Sequence, residues 1–425
     1  LKLSYKKFKD GPLIMNKIST DLASYDLFDD GLPLASFAEI RKQQGLTWCA
    51  EPNGTGFWAV TRHKDIQAVS RDSETFSSAV GFTQMEDITE EGMEYRRSII
   101  ETDPPKHMDL RKLLAPFFTP RKVKECEDMV REVVNKHLDK FIAAGEGDWL
   151  ALVSKPIPIE VLCRVIGLPE EDILFIIELT DYLVTGTTVG ELPMDAYGNT
   201  TDLNLLPFNS PAAHALYEYG MKIRRDRIAN PCDDLATILA TGEVAGAPLS
   251  DIDYKNNFQT LVFAGNETTR TAMAHLALQW SQNPAEFSKV ASDPSLIPGA
   301  IDEVLRVATP VIYMRRTATK DTELAGTQIK KGDKVITWFA SGNHDELVFA
   351  DPNTFKADRK PSNHEAFGGG GVHTCLGAFL ARLELRVLLD EMVKRNFSIE
   401  SAGDIEYIKS NFVNGIEHMP MRVTS

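Results

Sequence analysis

Cysteine is scarce in this chain of 425 residues, and what there is does not pair by pattern: Cys49, Cys126, Cys163, Cys232 and Cys375, five in all, lie scattered. No Cys-x-x-Cys occurs, which argues against the common zinc arrangements. An odd, scattered set builds no disulfide framework and points to a reducing, cytoplasmic compartment. Long apolar runs are missing too. Nothing approaches the ~20 residues that a membrane-crossing helix needs, so no transmembrane anchor is expected. Positive charge is in deficit, with 46 Lys and Arg against 61 Asp and Glu, a net −15. Such a balance disfavours nucleic acid and anionic membrane surfaces as partners. There is no internal repeat, no low-complexity tract and no Pro/Gly/Ser-rich linker.

Glycine, by contrast, is concentrated at one place. The stretch Phe367-Gly-Gly-Gly-Gly-Val-His373-Thr-Cys375-Leu-Gly377 cannot form regular structure. It lets the main chain pass close to something flat or bulky. Directly after it, Ala378, Leu380, Ala381, Leu383, Val387 and Leu388 recur at helical spacing. Cys375 therefore sits at a helix N-terminus, where a thiolate is favoured. A phosphate loop would need Lys-Ser/Thr after the glycines, and none follows. A zinc site would need a second nearby cysteine. An axial thiolate on haem iron fits, and so does an inert buried cysteine.

The longest periodic segment runs from Ser250 to Gln282, bounded by Ser250 with Asp253 and by Asn283-Pro284. Its centre, Ala264-Gly265-Asn266-Glu267-Thr268-Thr269, is a polar island in an apolar helix. Thr268 can bond back to the Ala264 carbonyl and loosen the turn. After Asp103-Pro104-Pro105, His107 and Arg111 lie one turn apart. Spacing alone makes them a solvated face. Glu303 and Arg306 alone are an ordinary helix pair. Residues 78–100 read as a long loop with helical fragments. Periodicity fails again over 185–209. Residues 324–339 read as a hairpin turning at Lys331-Gly332-Asp333.

Taken together, these stretches resemble the cytochromes P450 from about Leu34 to the C-terminus. Gly371, His373, Cys375 and Gly377 fall on the family's haem-thiolate loop, with Phe367 one residue further from the cysteine than usual. Ala264 to Thr269 matches its Ala-Gly-x-Asp/Glu-Thr-Thr signature, and Glu303, Arg306 and Arg359 match its structural triad. The resemblance implies a mainly α fold with a small β lobe, a single domain over 34–425, behind a partly ordered extension of residues 1–33. It implies haem b (iron protoporphyrin IX) on Cys375, with Phe367, His373 and Gly377 around it. It also implies propionate contacts from His107, Arg111, Arg316 and His373, with Arg315 facing water. Thr268 and Glu267 would manage protons, with Thr269 turned ~100° away. The substrate, a small to medium hydrophobic molecule of terpenoid, steroid or alkyl/aromatic type, would meet Ile99, Ile100, Leu261, Val262, Ala264, Val311, Ile312, Phe412 and Val413. Residues 78–100 would be a flexible wall and 185–209 a lid. The implied activity is monooxygenation with O2, the alternatives being a peroxygenase or a non-catalytic haem protein. No nicotinamide or flavin fingerprint occurs, so electrons would come from a [2Fe–2S] ferredoxin and its reductase. A docking patch of Arg111, Lys112, Arg382 and Arg386 is expected.

Overall fold

The fold was established as a computed structural model, which describes residues 19–185, 195–198, 200–360, 362–396 and 398–424. Helices dominate. In chain order they are α1 (Leu34–Lys42), α2 (His63–Arg71), α3 (Glu90–Arg96), α4 (Lys106–Leu114), α5 (Pro120–Lys124) and α6 (Glu127–Ala144). Next come α7 (Pro156–Ile166), α8 (Ile173–Thr185), α9 (Pro211–Ala229), α10 (Leu235–Thr241) and α11 (Asp251–Gln282). The last are α12 (Pro284–Ser292), α13 (Ile297–Ala308), α14 (Phe339–Gly342) and α15 (Ala378–Lys394).

α11 is the axis. Ser250 caps it, its hydroxyl accepting from the Asp253 amide at 3.1 Å. Its 32 residues span ~48 Å, enough to cross the molecule. α7, α9, α13 and α15 all pack on it. The apolar stripes of these helices merge into one large core that includes Phe141, Trp149, Phe258 and Leu388.

A smaller lobe surrounds a five-stranded sheet, in the order 47–49, 57–60, 334–337, 314–318, 76–77. Lys334–Thr337 runs parallel to Phe57–Val60 and antiparallel to Met314–Ala318, with Val335 opposite Arg316. Residues 19–33 pack into this lobe: Leu22 and Phe28 are buried, and Phe28 stacks on Trp338 at 6.1 Å between centroids. Residues 1–18 lie outside the described residues, as do 186–194 of the expected lid.

Two expectations are corrected here. The hairpin is Thr322–Leu324 with Thr327–Ile329, turning at Ala325-Gly326, where φ is +52° and +79°. Two consecutive positive φ values make the turn that closes a two-residue hairpin. Lys331-Gly332-Asp333 instead delivers the chain into the larger sheet. Alternation marks a strand but does not choose its partner.

The wall over 78–100 is anchored as well as partly helical. Arg315 does not face water; it is 4% exposed and donates to the Glu86 carbonyl and to Asp87, both at 2.9 Å. Buried Lys334 donates to the Met85 carbonyl at 3.1 Å and pairs with Asp87 at 2.7 Å. Two cations on neighbouring strands thus hold residues 85–87 by backbone and side chain.

Candidate active site

The thiolate loop closes on itself through the Cys375 amide, which donates to the Phe367 carbonyl at 2.9 Å. Gly368, Gly370 and Gly371 have φ of +95°, +92° and +79°, a region that disfavours other residues. The glycines also permit a close approach, but to the end of α2. A Cβ on Gly369 would lie 2.6 Å from Ser70 Oγ, and one on Gly371 would fall on the Ser70 carbonyl oxygen. Gly377, expected against a cofactor, faces open space on its Cβ side.

Cys375 is exposed as a residue, yet protein surrounds its sulfur. The two facts agree if the space it faces is interior. Burial raises the thiol above its ordinary value, and hydrogen bonds from the Gly377 and Ala378 amides, with the charges of Arg111 and Arg382, pull it back. The start of α15 therefore supplies two donors to one sulfur. Phe367 lies beneath the Arg382 guanidinium, 4.4 Å from its ring centroid.

The second element of the site is the middle of α11, which packs against α15. Ala264 is exposed there, while Val262, Asn266 and Glu267 around it are buried. An accessible methyl in the middle of a core helix marks a cavity. Thr268 stands one turn on, its hydroxyl donating to the Ala264 carbonyl at 2.8 Å. Thr269 is 3% exposed and packs elsewhere. Glu267 accepts from Arg270 at 2.6 Å through one carboxylate oxygen; the other is buried and unpaired. Burial raises its pKa above the ordinary carboxylate range and Arg270 counters part of that. At Gly265 the helix touches α7, because a Cβ there would lie 2.9 Å from Leu162.

A second set of charges surrounds the loop. Arg316 is buried, forms no ion pair among the described residues, and donates only to the Arg315 carbonyl at 2.8 Å. Burial lowers its pKa to about 10, partly offset by Asp103 and Glu101. His373 leaves a buried Nε2 without a partner, and its ring is 4.0 Å from that of His107. Burial, then the charges of Arg316, His107 and Arg111, push His373 down to about 2. A buried guanidinium and an orphaned ring nitrogen fit an anionic group such as a propionate. His107 and Arg111 also have backbone partners. His107 faces the Ile99 and Val372 carbonyls, both at 3.0 Å, and Arg111 donates to the Thr374 carbonyl at 2.7 Å. They brace the backbone on either side of His373.

Of the expected pocket residues, Leu261, Val311, Phe412 and Val413 are half-buried, and Ala264 and Ile100 are exposed. An isolated bridge joins Val311 to Val413, and the Ile312 amide donates to the Phe412 carbonyl at 2.8 Å. Val262, Ile312 and Ile99 are corrected: at 0%, 1% and 8% exposure they belong to the cores. Val262 is two positions from Ala264 on a helix, ~200° round, so it cannot share its face. Sequence reading passed over Lys334, a single charge in polar surroundings with nothing to set it apart.

Comparison with known proteins agrees with this geometry. A family model described as Cytochrome P450 matches residues 293–419. Over 92% of this chain and 91% of the relative, the sequence is 34% identical to a steroid C26-monooxygenase of Mycolicibacterium smegmatis. The chain is a cytochrome P450. A linalool 8-monooxygenase of Pseudomonas putida is also 34% identical, covering 94% of this P450 and 97% of that protein. A Mycobacterium marinum cytochrome P450 in complex with pseudoionone superposes with a TM-score of 0.82, at 36% identity over 91% of this chain and 94% of that one. Its fold is therefore the mainly helical P450 fold, its cofactor haem b and its activity that of a P450 monooxygenase. The donor set fits the cofactor: a sulfur at a helix start, a buried Arg316 that forms no ion pair among the described residues, and a His373 Nε2 without a partner. No helix among the described residues is long and apolar enough to cross a membrane.

Proposed function

We propose that this P450 hydroxylates a small to medium hydrophobic molecule of terpenoid, steroid or alkyl/aromatic type, with O2 and electrons from a [2Fe–2S] ferredoxin and its reductase. The observation that carries the reading is the column on α11: an accessible Ala264, a hydroxyl on Thr268 held one turn away, and a buried acid beside it. The similar proteins named for steroid, methyl-branched lipid and linalool oxidation support the substrate class. Free cysteines support a reducing, cytoplasmic setting.

Haem b supplies, when bound through Cys375, activation of O2 and transfer of one oxygen atom to substrate, the other leaving as water. The chain's residues do the rest. Cys375 is the ligand, oriented by the Gly377 and Ala378 amides. Arg316 and His373 hold the anionic edge of the cofactor. Leu261, Ala264, Val311, Phe412 and Val413 offer apolar surface, which contributes about 25 cal/mol per Å² of apolar ligand area. Thr268 holds a proton at its hydroxyl, and Glu267, whose pKa burial raises, is placed to take one up and pass it on. Behind Glu267, Arg270 lies 3.7 Å from Asp181, which pairs with Lys155. Side-chain exposure along that ladder rises from 1% at Glu267 to 34% at Lys155, so it leads from the site to water. A peroxygenase would have no use for the acid–alcohol pair.

Support for the electron donor comes from the face at the start of α15. A groove of about 480 Å³, lined by Lys124, Ile301, Phe379, Arg382, Leu383 and Arg386, opens there, one helix turn from Cys375. The expected basic patch is largely spent: Arg382 pairs with Asp302 at 2.9 Å, Arg386 with Glu127 at 2.7 Å and Lys112 with Asp109 at 3.1 Å. What remains for a partner is exposed Phe379 with Lys124 beside it. The test is NADH oxidation with ferredoxin and reductase, alongside spectral titration with terpenes, steroids and alkanes. Product formation with at least one of these is expected. Turnover with hydrogen peroxide alone, and none with the redox pair, overturns the reading.

A further inference from the structure

Two cations oppose the burial that raises the Cys375 thiol, and they are held in different ways. Arg111 donates to the Thr374 carbonyl at 2.7 Å and forms no ion pair among the described residues. Arg382 stands one turn beyond Ala378 on α15, on the side of the amide that donates to the sulfur. Its guanidinium covers the Phe367 ring at 4.4 Å, and the Phe367 carbonyl receives the Cys375 amide at 2.9 Å. One stacked contact and one hydrogen bond therefore separate this cation from the backbone of the ligand.

Unlike Arg111, Arg382 is paired. Its Nε donates to Asp302 Oδ1 at 2.9 Å, and His364 Nε2 lies 3.3 Å from the same oxygen. His364 Nδ1 accepts from the Ala366 amide at 3.2 Å, so in the neutral ring the proton is on Nε2 and goes to Asp302. Ring and guanidinium, 3.4 Å apart, converge on one carboxylate oxygen. Burial would raise the Asp302 carboxyl, but the bonds from His364 and Arg382 outweigh it and keep it an anion. An acid on α13 thus fixes where the Arg382 charge stands and cancels part of it. Positive charge near the ligand of a metal favours its reduced state, and negative charge disfavours it.

Resting on the assignment of Cys375 as the ligand, we propose that Asp302, held by His364, is a positioning residue acting through Arg382: it sets the potential at which the haem iron accepts its first electron. That electron passes from the donor to ferric iron and gives ferrous iron; no bond in the protein forms or breaks. Arg111, with no acid beside it, supplies a constant offset, and the pair Asp302–Arg382 supplies the adjustment.

Potentiometric titration of the substrate-free holoenzyme tests this, with carbon monoxide added to the reduced protein to check thiolate ligation in each variant. Arg382 and Asp302 are partly solvated, at 37% and 28% side-chain exposure, so modest shifts are expected. Asp302→Asn leaves the Arg382 charge uncancelled and should raise the equilibrium constant for reduction about threefold, ~28 mV at ~59 mV per tenfold. Arg382→Met keeps an apolar stem over Phe367 without the charge and should lower that constant by a similar factor. The charge-balanced double variant should return to the value of the parent. Packing alone would not reverse sign between the two single variants. Single variants that shift in one direction, single variants that do not shift, or a double variant left where one of them stood each overturn the proposal. If Asp302→Asn does not take up haem, Arg382→Met decides: a lowered potential supports the proposal, and an unchanged or raised one refutes it. A parent whose reduced carbonyl complex lacks the thiolate-type band refutes the ligand assignment beneath it, whereas an intact band with unmoved potentials refutes the role of Asp302 alone.

Discussion

Buried arginines serve opposite ends in two regions of this molecule. Behind the thiolate loop, Arg306 and Arg359 share Glu303. Arg306 meets both carboxylate oxygens, at 2.7 and 2.8 Å, and donates to the Asn343 and Pro352 carbonyls. Arg359 reaches both oxygens too, at 2.8 and 2.9 Å, and donates to the Ala350, Asp351 and Thr354 carbonyls. Beside the thiolate loop, Arg316 forms no ion pair among the described residues and donates only to the Arg315 carbonyl. A saturated charge fixes backbone and has nothing left to offer. An unsaturated one is held in place by packing and waits for a counter-charge. The difference separates scaffold from receptor without reference to conservation.

The sharpest way to break the comparison is to unsaturate the scaffold. Glu303→Ala strands two buried guanidinium groups and should cost ~3–5 kcal/mol, seen as a lower thermal midpoint and poor haem content. If haem content and midpoint match the parent, the network is not structural. The converse change lies at the cavity. Thr268→Ala should keep haem, fold and substrate affinity but lower product per NADH about tenfold or more, the balance appearing as hydrogen peroxide. Thr269→Ala, buried away from the cavity, should couple more nearly as the parent. A larger loss in Thr269→Ala would mean the wrong hydroxyl was assigned.

Smaller effects probe the boundary between the regions. Lys334→Met leaves Glu51 and Asp87 without their buried cation and should destabilise by ~1–3 kcal/mol. Faster amide exchange confined to residues 82–89 would localise that effect, and an unchanged exchange pattern would deny the anchor. Smallest is Asp302→Asn. Burial alone would raise Asp302, but hydrogen bonds from His364 and Arg382 outweigh it and hold the carboxyl below the ordinary aspartate value. A folded-state pKa that is depressed adds stability above the unfolded value of ~3.9 and loses it as pH falls below. The pair is partly solvated, so the gap between parent and variant should be at most ~1 kcal/mol at neutral pH. It should close in acid, which denaturant unfolding at two pH values will show.

The sequence disclosed what is local. Cys375 at the end of four glycines, the island on α11 and the back-bond of Thr268 all follow from spacing and chemistry within a few residues. The triad was legible only by resemblance, since Glu303 and Arg306 alone look like any helix pair. What stayed hidden depends on distant partners. Arg315 read as a solvated charge, and Lys334 went unnoticed, because residues 85–87, which they hold, lie more than two hundred positions earlier. The glycines announced a close approach without saying to what. Val262 and Ile312 were placed on the wall by apolar character, which a cavity lining and a core share. Asp302 and Glu127, which pair with Arg382 and Arg386 of the expected four-cation patch, stayed hidden because they sit on other helices.

The seam between the thiolate loop and α2 has a consequence for inheritance. The loop takes its shape from the carbonyl of Ser70 and the side chain of Ile66, against which Gly369 and Gly371 lie. Its instructions are thus written in two places roughly three hundred residues apart, as the positions of Ser70 and Gly369 show. A designer who grafted residues 367–377 onto another helical scaffold would carry over the ligand without the mould. The smallest portable piece is the loop together with α2, and with it the edge of the sheet lobe on which α2 rests.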